Sequence, residues 1–325
     1  MRIIKASDIF FFCLVLSAGV GLALWLRIWN PDTLLRQALP IYQLANEIDE
    51  MAPGARGEMA PGASGEAPRL YKSITLANAD GGEIRFTLSL PSDVDLSKAA
   101  DLPSLVMLTG FRAGRHSLDL IENHGRNAII AYDYPYDPDD WRNASIFGRV
   151  WIAHQTAYRM PDEVAGLIAW VQRQPWADPD RVNLAGVSLG AIALPIAQRR
   201  AASTGHKVAA SILAYGGLDL HALARTNLKD AWYREPLALA AALMLRPLAP
   251  VHHLPKLSGP FLLIHGDSDE RIPKDSLTAL NALTPEPKTI LVQKGAHIDG
   301  RRPEIIQRTV DTARKWLREQ DLLNP

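Results

Sequence analysis

Apolar and polar positions divide the chain into three stretches. Residues 9–26 run without a charge, and at about 1.5 Å of helix rise per residue they reach roughly 27 Å, close to the hydrocarbon thickness of a bilayer. Residues 51–66 show no apolar period. They read MAPGARGE followed by MAPGASGE, a repeat too rich in Pro, Gly and Ala to build a core, and so a spacer. Beyond residue 68 short apolar runs alternate with helical stripes. Residues 71–76 and 84–90 are strand-like and flank Ala79-Asp80-Gly81-Gly82, a hairpin signal. Residues 105–108 and 127–132 read as short buried strands, and residues 163–172 place Val164, Leu167, Ile168 and Val171 at helical spacing. A strand at 181–185, a helix near 189–200 and strands at 209–214, 261–264 and 289–292 follow. The last helix, 303–320, sets Ile306, Val310, Ala313 and Leu317 on one stripe.

A leading hairpin followed by alternating strands and helices predicts an α/β fold with a mostly parallel central sheet and helices on both faces. The expected organisation is a membrane anchor at residues 1–30, a linker at 31–68 and one folded domain at 69–325. Arg2 and Lys5 precede the apolar run, and Trp25 and Trp29 stand at its exit, where indoles favour the interface. The run is longer than a usual signal-peptide core, so it reads as one uncleaved transmembrane helix, with a cleaved signal as the alternative. The slight bias of positive charge places the rest of the chain outside the cytoplasm, on the periplasmic side. The segment 218–256, between two sheet strands, is too long for a simple crossover. Its apolar run 237–245 is either a cap over a pocket or a buried crossover helix.

Composition narrows the functions. Lys+Arg and Asp+Glu are each 35 in 325 residues, so the formal charge is zero and no basic excess points to nucleic acid. The one cysteine excludes a disulfide framework and a thiolate zinc site within the chain. Adjacent His252 and His253 lack partners at ligand spacing and read as loop. No metal or organic cofactor is expected.

The chemistry gathers at Gly186-Val187-Ser188-Leu189-Gly190, a G-x-S-x-G stretch between a strand and a helix. A serine exposed on such a sharp turn needs neighbours without side chains, because the backbone comes close on both sides. DPDRVNLAGVSLGA resembles the α/β-hydrolase family, within it the dienelactone-hydrolase and acyl-esterase-like branch, over about residues 70–320. The stretch FLLIHGDSDERIP at 261–273 is similar to that family's H-G-x-x-D-x-x-x-P segment, and Lys294-Gly295-Ala296-His297 stands where the family places its histidine. The resemblance implies a Ser188–His297–Asp269 triad in the family's chain order. Asp267, two residues away, is the competing acid.

The residue types suit nucleophilic catalysis. A hydroxyl attacks well only when a base takes its proton, and a carboxylate fixes that base's tautomer. The resemblance further implies an oxyanion hole from the main-chain N–H groups of Leu189 and Phe111, with Thr109-Gly110 where the family often has His-Gly. Arg112 and Arg115 on the same loop either meet an anionic group of the substrate or are solvated. Trp141, Phe147, Trp151 and Tyr158 either line the pocket or belong to the core. Ala191 replaces a further glycine of many relatives, and Pro195 is expected to kink the following helix. The expected activity is hydrolysis of a small-molecule ester through an acyl-serine. Peptide cleavage or acyl transfer on the same fold, and a non-catalytic binding protein, are the alternatives. A propeller of the prolyl-peptidase kind is not expected, because only the apolar run and the spacer precede residue 70.

Overall fold

The computed structural model describes residues 30–50, 68–110, 114–121, 124–228 and 234–325, with backbone alone at 115–116 and 146–147. The expected anchor at 9–26 lies outside the described residues. Among those described, no helix is long and apolar enough to cross a membrane.

Nine strands form one sheet in the order β1-β2-β3-β5-β4-β6-β7-β8-β9. They are β1 (Gln43–Glu50), β2 (Arg69–Ala77), β3 (Glu83–Pro91), β4 (Leu102–Leu108), β5 (Ala128–Asp133), β6 (Ala177–Val187), β7 (Ser211–Ala214), β8 (Phe261–Gly266) and β9 (Lys288–Gln293). β1, β2, β3 and β5 pair antiparallel, and every pair from β5 across β4 to β9 is parallel. The helices are α1 (Pro138–Asn143), α2 (Ile146–Val171), α3 (Leu189–Ser203), α4 (Leu220–Asn227), α5 (Arg234–Met244), α6 (Pro250–His253), α7 (Lys274–Leu283) and α8 (Pro303–Glu319).

The period of two along each strand sends alternate side chains to opposite layers. Val106, Leu108, Ile130, Tyr132, Val182 and Leu184 face α2 and α3 in the largest core cluster. Leu213, Phe261 and Leu263 continue that layer beside Leu280 of α7. On the other face Ala185, Ile212, Ala214, Leu262 and Ile264 meet Ile305, Trp316 and Leu317 of α8. Met107, Ile129 and Ala131 point the same way, toward Leu118 of the short 3-10 segment Gly114–Leu120. This second layer, one helix and one loose turn, is the thinner, and the site opens into it.

Two expectations change. Residues 30–50 are not linker. β1 pairs with β2 along the sheet edge, Asp32 meets Arg199 of α3 at 2.8 Å, and Tyr42 is buried. Its ring lies so close to Gly166 of α2 that a Cβ there would sit 2.5 Å from Tyr42 Cδ2. The run 237–245 is not a buried helix, and among the described residues of 218–256 none lines the catalytic cavity. In α5 only Ala238 is buried, Leu239 is 52% exposed and Leu243 45%, and Met244 is held by a hydrogen bond from the Tyr158 hydroxyl at 2.9 Å. These residues lie with the α2 layer, on the other side of the sheet. Pro195 is accommodated within α3, which runs on to Ser203.

Candidate active site

β6 ends at Val187 and α3 begins at Leu189, so Ser188 is the single residue of the turn. Its φ of 56° and ψ of −114° are strained for a residue with a side chain. The strain holds because the turn is fixed on both sides. Ser188 donates its N–H to the Ala214 carbonyl of β7 at 2.9 Å. A Cβ at Gly186 would stand 2.5 Å from the Gly190 carbonyl oxygen, and one at Gly190 would overlap the Leu108 carbonyl of β4. The two glycines thus let α3 approach the sheet closely, and the serine is pushed out at its C-terminal edge.

His297 and Asp269 reach this point from the loops after β9 and β8. Ser188 Oγ lies 2.8 Å from His297 Nε2. His297 Nδ1 lies 3.0 and 2.8 Å from the two Asp269 oxygens. An ionised carboxylate only accepts, so Nδ1 carries the proton and Nε2 is left to accept from the serine hydroxyl. The His297 and Asp269 side chains are 2% and 4% exposed. Asp269 is further fixed by the N–H groups of Arg271 and Ile272 at 2.8 and 3.1 Å. Asp267 points elsewhere. It accepts the Gly295 N–H at 2.9 Å, a bond that lowers its pKa, and makes no contact with the imidazole.

The sequence reading missed the clamp on His297. Glu270 Oε2 accepts the His297 N–H at 2.9 Å, and Arg302 Nη1 donates to the His297 carbonyl at 2.7 Å and to Glu270 Oε1 at 3.2 Å. That N–H and the arginine pull the Glu270 pKa down to about 2. Tyr215, at φ 55°, sets its buried ring edge-on to the imidazole with centroids 5.7 Å apart. The only sequence signals were the adjacency of Glu270 to Asp269 and the Gly300-Arg301-Arg302 run after the histidine.

Leu189 is the first residue of α3, so its N–H has no intrahelical acceptor and lies beside Ser188. Phe111 and Arg112 fall outside the described residues, as does the side chain of Arg115. Thr109 and Gly110, at the end of β4, border the same cavity as Ser188, and the Tyr134 hydroxyl secures the Thr109 carbonyl at 2.9 Å. That cavity has a volume of about 840 Å3 and extends from Ser188 and Leu189 between the sheet and α8.

The other singled-out residues lie elsewhere. Tyr158 packs against the α2-side core, Trp141 sits edge-on to Tyr136, and Trp151 is 61% exposed beside a separate polar cleft. The side chain of Phe147 is outside the described residues. His253 is buried in α6 with Nε2 2.6 Å from the Pro247 carbonyl, and its burial pushes its pKa down to about 4. Among the described residues no group of three or more His, Cys, Asp or Glu side chains is arranged to hold a metal ion.

Residues 146–319, which contain the elbow, the acid and the histidine, match the model of the prolyl oligopeptidase family over more than half of the chain. The chain belongs to that family. None of the curated proteins matches it. Among solved structures this prolyl oligopeptidase family member is similar to an acetyl xylan esterase from Paenibacillus sp. R4, with 15% identity, a TM-score of 0.58, and 89% of this chain and 93% of that one covered. Acetyl xylan esterase 1 from Thermoanaerobacterium sp. JW/SL YS485 matches at 15% identity and TM-score 0.55, over 88% and 92% of the two chains. A thermophilic esterase, Est2, from the Planctomycetes species Thermogutta terrifontis matches at 18% and 0.52, over 76% and 91%. At these identities the likeness is one of fold, the α/β-hydrolase fold, with a mostly parallel sheet and helices on both faces.

Proposed function

We propose that the protein hydrolyses a carboxylic ester of a small molecule through an acyl-serine intermediate. The observation that carries this reading is the hydrogen-bonded line from Ser188 Oγ through His297 to Asp269, set on a strained elbow that exposes the hydroxyl. Ser188 Oγ attacks the ester carbonyl carbon while His297 Nε2 takes the hydroxyl proton. Asp269 holds the imidazole in its Nδ1–H tautomer and stabilises the imidazolium. The oxyanion that forms meets the Leu189 N–H, with the loop after Thr109, which includes Phe111, as the source of the second donor. Collapse breaks the bond to the alkoxy group, and His297 returns the proton to it. Water then attacks the acyl-serine by the reverse steps and releases the acid. The similar folds of acetyl xylan esterases support ester chemistry. The uncharged run at 9–26 supports a tether to the membrane, with the catalytic domain on the periplasmic side.

A second reading, cleavage of peptides after attack on an amide, is favoured by the family match itself. Both readings use the same serine, and substrates separate them. The test treats the full chain and its Ser188→Ala variant with a fluorophosphonate, reading adduct mass on the intact protein. Turnover of p-nitrophenyl butyrate and of a prolyl p-nitroanilide is then compared. The expected result is one adduct on the parent, none on the variant, and turnover of the ester over the anilide. A folded Ser188→Ala protein with full esterase activity would sink the proposal.

A further inference from the structure

The cavity at Ser188 does more than admit an ester. It runs inward beneath the second face of the sheet, floored by Met107, Ala185 and Ile212 and roofed by Val310, Ala313 and Leu317 of α8. Ala185 lies three positions before Ser188, which is about 10 Å of strand. Ile306 to Leu317 along the roof is about 16 Å of helix. A volume of about 840 Å3 stands toward the upper end of pockets that enclose drug-sized ligands.

Most polar groups along this passage are satisfied within the protein, the exception near Ser188 being the Thr109 hydroxyl, which is buried without a hydrogen-bond partner. The Thr309 hydroxyl donates to the Ile305 carbonyl at 2.7 Å, and that of Ser117 to the Gly114 carbonyl at 2.8 Å. Arg314 pairs with Asp311 at 2.8 Å. At the mouth Asp299 holds both Arg271, at 3.5 Å, and Arg301, at 2.8 Å. The mouth arginines are therefore partly neutralised, and the inner wall is mainly aliphatic, with Ser117, His124 and Thr309 as its buried polar members.

We infer that the acyl half of the substrate is an unbranched aliphatic chain of medium to long length, which lies in this channel while its carbonyl sits at Ser188. The inference rests on the hydrolase reading and names its substrate class. An acetyl group reaches only the mouth. Each further methylene leaves water for hydrocarbon walls, a gain of about fourfold, equivalent to ~0.8 kcal/mol. Ala185 and Ala214 on the floor and Ala313 on the roof are the small residues of the inner wall and set the width at which a methylene chain passes.

The test uses the full chain in lipid nanodiscs with p-nitrophenyl acetate, butyrate, hexanoate and octanoate. In the parent, kcat/KM should rise at least tenfold from acetate to octanoate. Ala313→Trp puts an indole across the channel and should lower the octanoate-to-acetate ratio at least tenfold. Ester partitioning into the lipid is common to both proteins and cancels in that comparison. Met107→Trp blocks the channel from the opposite wall, should do the same, and serves where Ala313→Trp fails to fold. A flat or falling series in the parent overturns the inference, as does an unchanged ratio in a folded blocked variant. Acetate turnover that depends on Ser188 beside a flat series removes only the chain-length inference. No turnover of any ester removes the hydrolase reading with it.

Discussion

At the scale of single residues, the site depends on side chains that never touch a substrate. His297 must present Nε2 to Ser188, yet its loop carries Gly295 at φ 130° and has no regular structure to hold it. Glu270 and Arg302 supply the hold by gripping the N–H and the carbonyl of His297 from opposite sides. Glu270→Ala should therefore lower kcat for p-nitrophenyl butyrate by about tenfold to a hundredfold through misplacement of the imidazole, with KM little changed. The same variant has a signature in stability. The folded pKa of Glu270 is about 2 against an ordinary 4.5, so its contribution is fully present above pH 4.5 and is lost as the pH falls toward 2. Urea unfolding should find the parent more stable than Glu270→Ala at pH 6, with the gap clearly narrower at pH 3. A gap that persists unchanged at pH 3 would show that the carboxylate's charge contributes nothing.

At the scale of elements, α2 is tied to the sheet through a buried acid. Glu163 accepts from the Tyr132 hydroxyl of β5 at 2.7 Å, and Arg159 reaches its other oxygen at 3.1 Å from a half-exposed position. Burial outweighs both partners and pushes the Glu163 pKa up to about 7. A raised acid pKa favours the folded state at low pH. That advantage is complete below the unfolded value of 4.5 and is lost as the pH rises through 7. Glu163→Gln keeps an acceptor for Tyr132 and removes the titration. The variant should gain on the parent between pH 5 and pH 8 by roughly 3 kcal/mol, read as the difference of two denaturant curves at each pH. A difference that does not move with pH would mean that the group stays ionised.

The same element shows what a sequence pattern carries. The C-terminal half of α2 is legible because Val164, Leu167, Ile168 and Val171 are all buried against the sheet. Its first half is not, because it projects past the core with Trp151 exposed. β1 is illegible for a related reason. Seven of its eight residues are exposed, so the period of two that marks a half-buried strand has no buried face to report. Its place is set by backbone pairing with β2. At the site, Ser188, Asp269 and His297 lie in short local patterns fixed by tight turns, and these can be read directly. The Glu270 and Arg302 clamp acts through main-chain atoms, and the channel is a gap between layers. Neither leaves a local pattern.

At the scale of the whole molecule, residues 30–50 belong to the folded domain, and this sets how the chain can be shortened. β1 covers the edge of β2. It carries Glu47 and Asp49, which Lys72 of β2 meets at 2.8 and 2.7 Å. An acidic, largely exposed outer strand discourages further strand addition, whereas the β2 edge without it offers unpaired N–H and carbonyl groups to another chain. Inward of β1, Tyr42 is 5% exposed against Gly166, and removal of a buried aromatic ring of this kind costs about 3–5 kcal/mol. A chain beginning at residue 30 should therefore be monodisperse and keep its full melting temperature. One beginning at residue 68 should melt lower by about 6–20 °C, at roughly 2–4 °C per kcal/mol for a domain of this size, and should self-associate. Light scattering and thermal unfolding of the two chains compare these directly. Equal melting temperatures and equal masses would mean that β1 and Tyr42 only rest on a core that is complete without them.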